Sequence, residues 1–258
     1  MGYHARTTTP RIEVHHMQEQ SAQPPKPVTE VWKPDLIVLP RLTPARKAFR
    51  YFYRLLMKLL TFIFLRLTVR GLENFPKKGP AMVVFNHAGD VDAVVLVAAI
   101  PYMLDGIVKI ENRDDHWLVG PLFRAYGYIW IHRGKPDRRA LRVALDGFAE
   151  GRIIVLSPEG RQTLTGGLEE GTDGATFLAL KSGAPIVPVA MTGTQNAKTY
   201  ASMKQWKRAP VTLTVGKPFH LEEQPDHQET IREGTRRIME EIARLLPKEY
   251  RGKYDYIS

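Results

Sequence analysis

Pro80-Ala-Met-Val-Val-Phe-Asn-His-Ala-Gly-Asp-Val-Asp92 is the stretch on which the fold class turns. Pro80 to Phe85 is a short, unbroken apolar run with two adjacent valines, the pattern of a strand buried on both faces. Asn86 to Asp90 are turn formers, and Val91 to Ile100 reads as a helix. A buried strand that turns directly into a helix is the repeating unit of α/β folds, and the turn at its carboxyl end is where such folds place their sites.

The alternation continues downstream. Strands are predicted at Gly106–Ile110, Tyr128–Ile131, Arg152–Leu156, Pro185–Met191 and Val211–Val215, with helices at Trp117–Ala125, Pro136–Glu150, Gly174–Ser182 and about Asp226–Leu246. The expected architecture is α/β: a mixed, largely parallel sheet flanked by helices, with an amphipathic membrane-surface helix on its N-terminal side. Three regions follow: a disordered or extended tail over 1–40, a basic amphipathic helix over 41–68, and the catalytic-sized domain over 69–258.

Residues 1–44 hold seven of the nineteen prolines among polar residues of little periodicity, and the opening residues lack the apolar core of a secretory signal. From Pro44 to about Leu67 there is no internal glycine or proline, and Pro44 suits a first helical turn. Arg46, Lys47, Arg50, Arg54 and Lys58 share one arc of this helix, while Phe52, Leu55, Leu56, Leu59, Leu60, Phe62, Ile63 and Leu67 lie opposite. The apolar run Leu59–Leu65, with only Thr61 polar, is far short of the ~20 residues that span a bilayer, so the helix is expected to lie on a membrane, apolar face in the acyl region and basic face at the phosphates. A core-packing helix with a solvated charged face is the alternative.

The net charge of +10 is concentrated: residues 41–70 contain eight basic residues and no acid, which points to an anionic surface. The broad apolar face and nearly neutral remainder argue for a membrane over a nucleic acid. The chain has no cysteine, which removes disulfides, thiolate nucleophiles and cysteine-ligated zinc, and no compact set of metal ligands is visible around its histidines.

Four segments carry candidate chemistry. His87 in the turn and Asp92 in the first helical turn place a carboxylate within reach of one imidazole nitrogen, the arrangement of general-base catalysis, with Asp90 as a rival partner or helix cap. Ser157-Pro158-Glu159-Gly160-Arg161 follows a buried strand and precedes a loop with Gly166, Gly167 and Gly171, so its arginine and backbone N–H groups can hold a phosphate. Arg133 ends the strand Tyr128–Ile131, and Lys109 ends the strand before it, adding two cations. Pro185 and Pro188 fix the entry of another strand, a structural role.

Taken in order, these segments resemble the glycerolipid acyltransferase family typified by 1-acyl-glycerol-3-phosphate acyltransferases. The first family motif, a histidine, four residues and an aspartate, is matched by His87 to Asp92, and the arginine of the second by Arg133. The Pro-Glu-Gly turn of the third is matched by Pro158, Glu159, Gly160 and Arg161, and the apolar proline-containing strand of the fourth by Pro185. Arg161 directly follows Gly160, where members often carry an intervening threonine, and His132 stands where an acid often precedes the second-motif arginine. The resemblance implies a catalytic pair, His87 and Asp92, and a substrate-binding set, Arg133, Glu159, Gly160, Arg161 and Lys109. It implies acyl-CoA or acyl carrier protein as co-substrate, no further cofactor, no metal, no nucleic-acid partner, and a peripheral or monotopic place on the cytoplasmic face of a membrane.

Overall fold

The computed structural model describes residues 24–134 and 136–257. In chain order the elements are α1 (Pro44–Phe64), β1 (Leu65–Arg70), β2 (Ala81–Phe85), α2 (Asp92–Ala99), β3 (Leu104–Lys109), α3 (Val119–Tyr126) and β4 (Ile129–Ile131). They continue with α4 (Arg138–Ala149), β5 (Ile153–Leu156), α5 (Gly174–Ser182), β6 (Ile186–Thr192), α6 (Asn196–Lys204), β7 (Ala209–Val215) and α7 (His227–Leu245). The seven strands form one sheet in the order β1-β7-β6-β2-β5-β3-β4, in which β6 and β7 pair antiparallel and every other pairing is parallel. The mixed, largely parallel sheet expected from the alternation of apolar runs and helices is the one observed.

All five residues of β2 are buried. Met82 and Val84 pack with α4, α5 and α7 through Ala144, Phe148, Leu178, Ile238 and Met239. Ala81, Val83 and Phe85 face the other way, toward Val95 and Leu96 of α2. A central strand between two layers has no face for polar residues, which is why its sequence is an apolar run without alternation. Parallel pairing of β2 with β5 and β6 brings three carboxyl ends to one edge, and the chain leaves β2 there at His87.

Two expectations need correction. The N-terminal helix ends at Phe64, not near Leu67, because Leu65–Arg70 pairs residue for residue with β7. The period-2 alternation of Leu-Arg-Leu-Thr-Val-Arg announces that strand. Three of the five cations of the basic arc of α1 also face the protein, while Lys47 and Lys58 are exposed. Arg46 donates to the carbonyl of Ala125, Arg54 to that of Pro101, and Arg50 is buried, bound to Asp105 and to the carbonyls of Tyr126 and Gly127. These long side chains satisfy carbonyls at the ends of neighbouring elements. Tyr53, Met57 and Thr61 complete the packed face, while Tyr51, Phe52, Leu55, Leu59, Phe62 and Ile63 are exposed. No helix among the described residues is long and apolar enough to cross a membrane.

Residues 1–23, most of the tail named above, lie outside the described residues. Residues 24–40 run largely extended against the domain: Ile37 is buried, and the carbonyl of Pro40 accepts from Arg152. The helix α6 has no counterpart among the sequence expectations. Its apolar positions are scattered around the wheel, so no periodic signal marks it.

Candidate active site

The turn after β2 is held from both sides. The amide of buried Asn86 donates to the carbonyl of Met191 on β6 and accepts from its N–H, at 2.9 and 2.7 Å. On the other flank, His87 N–H donates to Glu159 Oε1 at 2.8 Å, and His87 C=O accepts from Thr163 N–H at 2.8 Å. Gly89 is required by close approach, since a Cβ there would stand 2.0 Å from the carbonyl oxygen of Thr194.

His87 Nδ1 lies 2.7 Å from Asp92 Oδ2, which also accepts from the N–H groups of Ala88 and Gly89 at 2.8 and 3.0 Å. Asp92 is fully buried, whereas the His87 side chain is 28% exposed. With an acceptor-only carboxylate against Nδ1, the neutral ring carries its proton on Nδ1 and leaves the Nε2 lone pair free. No hydrogen bond to Nε2 is present among the described residues. Asp90, the rival partner, belongs to the rim: it accepts from Gln162 and Tyr200, each at 2.6 Å, and does not cap α2. Desolvation opposes its ionisation, but the hydrogen bonds from Tyr200 and Gln162 and the nearby His87 hold its carboxyl below the ordinary value.

Val84 of β2 pairs with Leu156 of β5, so the loops after these strands lie side by side. Gly160 makes the Pro-Glu-Gly turn at φ +71°. Glu159 is buried, and its two oxygens accept from His87 N–H and Glu169 N–H. Glu169 in turn accepts from Arg161 Nε at 2.8 Å and Leu164 N–H at 2.8 Å. This chain of contacts couples the histidine's backbone to Arg161.

Burial pushes the Glu159 carboxyl from 4.5 up to about 7, even though its two N–H donors favour the charged form. The folded chain therefore keeps a proton that the unfolded chain loses from pH 4.5 upward. Stability from this group falls as pH rises from about 4.5 through about 7, by up to about 3 kcal/mol, and levels off above. Denaturant unfolding of the parent is expected to show this decline and Glu159→Gln to flatten it; a flat parent profile would mean that the two N–H donors keep the carboxylate ionised throughout.

The other predicted cations are less concentrated than the sequence suggests. Lys109 and Arg133 end neighbouring strands, since Lys109 pairs with Ile131. From β2, β4 is three places along the sheet, roughly 14 Å at ordinary strand spacing. Arg133 Nε is buried without a hydrogen-bond partner among the described residues, and the guanidinium lies 3.8 Å from Glu111. Arg161 is buried and tied down: besides Glu169, its Nη1 donates to the carbonyl of Pro24 at 2.9 Å.

The extended N-terminal segment covers this flank, which nothing in its spacing announced. Thr29 exchanges two hydrogen bonds with Arg133, its Oγ1 accepting the arginine N–H at 2.7 Å and its own N–H reaching the arginine carbonyl at 3.0 Å. Lys33 N–H donates to His132 Nε2 at 2.9 Å, and Trp32 stacks on that ring at 4.2 Å. His132 and Asp137 repeat the His-x4-Asp spacing and meet at 2.8 Å. There, however, Nε2 is occupied and the histidine is buried, so this pair anchors the segment and has no lone pair to offer a substrate.

The strand-end histidine, oriented by a buried carboxylate, thus stands beside a Pro-Glu-Gly turn on the next parallel strand. Residues 66–192 match the model of the acyltransferase family. Among relatives, the chain is 27% identical over 160 residues to a 1-acyl-sn-glycerol-3-phosphate acyltransferase of Limnanthes douglasii, covering 60% of this chain and 55% of that one. It is 26% identical over 165 residues to the Pseudomonas aeruginosa enzyme of the same name, covering 61% of each. The chain thus spans little more than half the length of the plant relative. The crystal structure of the 1-acyl-sn-glycerophosphate acyltransferase of Thermotoga maritima shares the fold, with a TM-score of 0.58 at 22% identity, over 79% of this chain and 84% of that one.

Proposed function

We propose that this chain transfers a fatty acyl group from the thioester of acyl-CoA or acyl carrier protein to the hydroxyl of a lysophospholipid, first among them 1-acyl-glycerol 3-phosphate, in phospholipid biosynthesis. The observation that carries the reading is the His87 imidazole, held through Nδ1 by buried Asp92 with Nε2 open. The names of the relatives point to the same reaction.

In this reading the acceptor hydroxyl attacks the thioester carbonyl while His87 Nε2 takes its proton, and Asp92 stabilises the imidazolium. Collapse of the tetrahedral intermediate breaks the C–S bond, and the departing thiolate takes the proton back from Nε2. The ester is the product, and the histidine returns to its starting tautomer. Neither a covalent enzyme intermediate nor a further cofactor is needed. Asn86, Gly89 and Glu159 support the step by fixing the turn that aims the ring.

Arg133, with an unpartnered buried Nε, and Arg161 are assigned to the acceptor phosphate, with Lys109 between them in strand order and Glu159 and Gly160 shaping the turn. A charge-assisted hydrogen bond contributes about 1.5–3 kcal/mol. Arg133→Gln should therefore raise the apparent KM for 1-acyl-glycerol 3-phosphate by about tenfold or more, with less effect on an uncharged monoacylglycerol. Equal effects on both acceptors would move the phosphate site elsewhere.

Membrane lipids supply the acceptor, and the exposed apolar face of α1 is assigned to the interface, with the enzyme peripheral or monotopic on the cytoplasmic side. Incubating the protein with 1-acyl-glycerol 3-phosphate and labelled acyl-CoA tests the reading; thioester hydrolysis without a diacyl product would reject it.

A further inference from the structure

The turn between α6 and β7 reads Lys204-Gln205-Trp206-Lys207-Arg208. It closes α6 with a Schellman arrangement: Lys207 N–H reaches back to the carbonyl of Ser202 at 2.9 Å, and Trp206 N–H to that of Met203 at 3.0 Å. The residue that must turn left-handed in this motif is ordinarily glycine. Here it is Trp206, at φ +53°, the one non-glycine residue with positive φ among the described residues, and its side chain is 92% exposed. A bulky residue is strained in that region, and nothing in the fold repays the strain, since the indole packs against almost nothing. A tryptophan held out in this way suits a boundary between water and lipid, where the ring is half apolar and the indole N–H finds a polar partner.

The turn leads to a second feature. Arg208 donates to the carbonyl of Leu65 at 2.9 Å, and its guanidinium lies 5.0 Å from the centre of the Phe62 ring. It thereby borders a cleft of about 230 Å³ between the end of α1 and β1, lined by Lys58, Thr61, Phe62, Leu65 and Leu67. Thr61 is 6% exposed, and its hydroxyl has no hydrogen-bond partner among the described residues. The cleft has two cations at its mouth, an unsatisfied hydroxyl in its wall and apolar side chains beneath. Phe62, Leu59 and Ile63 continue the apolar face of α1 beside it.

Charge favours one occupant. The two segments that build this surface lie in stretches without any acid, from Leu36 to Leu72 and from Gly174 to Leu221. We propose that this cleft binds the phosphate headgroup of an anionic membrane phospholipid between Lys58, Arg208 and the Thr61 hydroxyl, with Trp206 inserted at the interface beside it. The turn is a second membrane anchor, separate from the apolar face of α1. It reads lipid charge where that face reads only apolar surface, and it rests on the membrane placement assigned to α1 above. Leu65 and Ala209 pair at the start of parallel β1 and β7, and β7 runs antiparallel to β6, so this anchor lies at the sheet edge where β2 and β6 end. Binding there would hold the mouth of the active site against the lipid surface.

Vesicle co-sedimentation tests this on the whole chain, with phosphatidylcholine alone and with phosphatidylcholine mixed with phosphatidylglycerol. The parent is expected to bind the mixed vesicles more tightly. Lys58→Gln with Arg208→Gln should lose about tenfold or more of that preference, given the attraction of each cation to an anionic leaflet, while binding phosphatidylcholine as the parent does. Arg208→Lys should keep most of it. Trp206→Gly should weaken binding to both vesicles several-fold and yet raise the melting temperature, because glycine relieves the left-handed position. A double variant that keeps the full preference overturns the headgroup site, and a Trp206→Gly that binds like the parent overturns the anchor. Abolition of the preference by millimolar inorganic phosphate would make the cleft a free-phosphate site and reject the lipid assignment. Failure of the parent to bind phosphatidylcholine at all would instead strike the membrane role of α1.

Discussion

His87→Ala is expected to lower the rate of acyl transfer by about 10²-fold to 10⁴-fold, the range that a positioned general base contributes. The loss should appear in kcat and in kcat/KM alike, because the Nε2 lone pair acts on the acceptor hydroxyl only as the new bond forms. Stability should change little. The imidazole is 28% exposed, and the one hydrogen bond it makes, to Asp92, leaves that carboxylate with the N–H groups of Ala88 and Gly89. A cost of about 1 kcal/mol is the scale for one such bond. Single-turnover assays with labelled acyl-CoA, together with a thermal melt, check both halves. Equal rates for parent and variant would remove His87 from the chemistry.

The largest expected effect on stability lies far from the reaction. Arg50 and Asp105 are each about 2% exposed and meet at 2.8 Å. Arg50 also donates to the carbonyls of Tyr126 and Gly127, at 2.8 and 2.9 Å, and its guanidinium lies 4.7 Å from the centre of the Tyr126 ring. Arg50→Met keeps much of the side-chain volume but strands a buried carboxylate and two buried carbonyls. Breaking a buried pair in this way costs about 3–5 kcal/mol. The remaining buried ion pair of Asp105 with Arg152, at 3.4 Å, offsets only part of this, because the carbonyls of Tyr126 and Gly127 also lose their donor. Urea unfolding should show a lower midpoint with an unchanged slope. A loss below about 1 kcal/mol would mean that water reaches the pair. The consequence extends to the exposed apolar face of α1, since Arg46, Arg50 and Arg54 are the pins that orient the helix so that Phe52, Leu55, Leu59 and Phe62 point outward.

That orientation shows where sequence reasoning stops. The helical wheel separated the basic and apolar arcs of α1 correctly, but it carries no information about which arc meets the protein. Carbonyls at the ends of α2 and α3 and the Asp105 carboxylate on β3 decided the matter, and they are brought near only by the tertiary fold. By contrast, the β2 run and the His87–Asp92 turn were legible because both the period and the chemistry are local: a buried strand, turn formers, then a helix. A helical reading that runs on to about Leu67 misses the boundary at Leu65, although Leu65, Leu67 and Val69 alternate with polar residues. The helix α6 was not legible either, because its residues spread apolar and polar character around the wheel. Asn196 and Tyr200 on that helix turn out to hold Asp90, which frees Asp92 for the histidine. Arg161 was found by its place in the turn, but its ties to Glu169 and to the carbonyl of Pro24 depend on chain 8 and 137 residues away. His132 and Asp137 show the reverse hazard, since the same spacing makes an anchor when a backbone N–H already occupies the second ring nitrogen.

The central claim is that an Asp92-oriented His87 activates a lipid hydroxyl toward a thioester. It is tested most directly by supplying 1-acyl-glycerol 3-phosphate and labelled acyl-CoA to the parent protein and to His87→Ala, and following free thiol and diacyl product together. The account predicts one thiol released for each diacyl product by the parent, and neither by the variant beyond the residual rate. Thiol release without diacyl product, or equal product from both proteins, would contradict it.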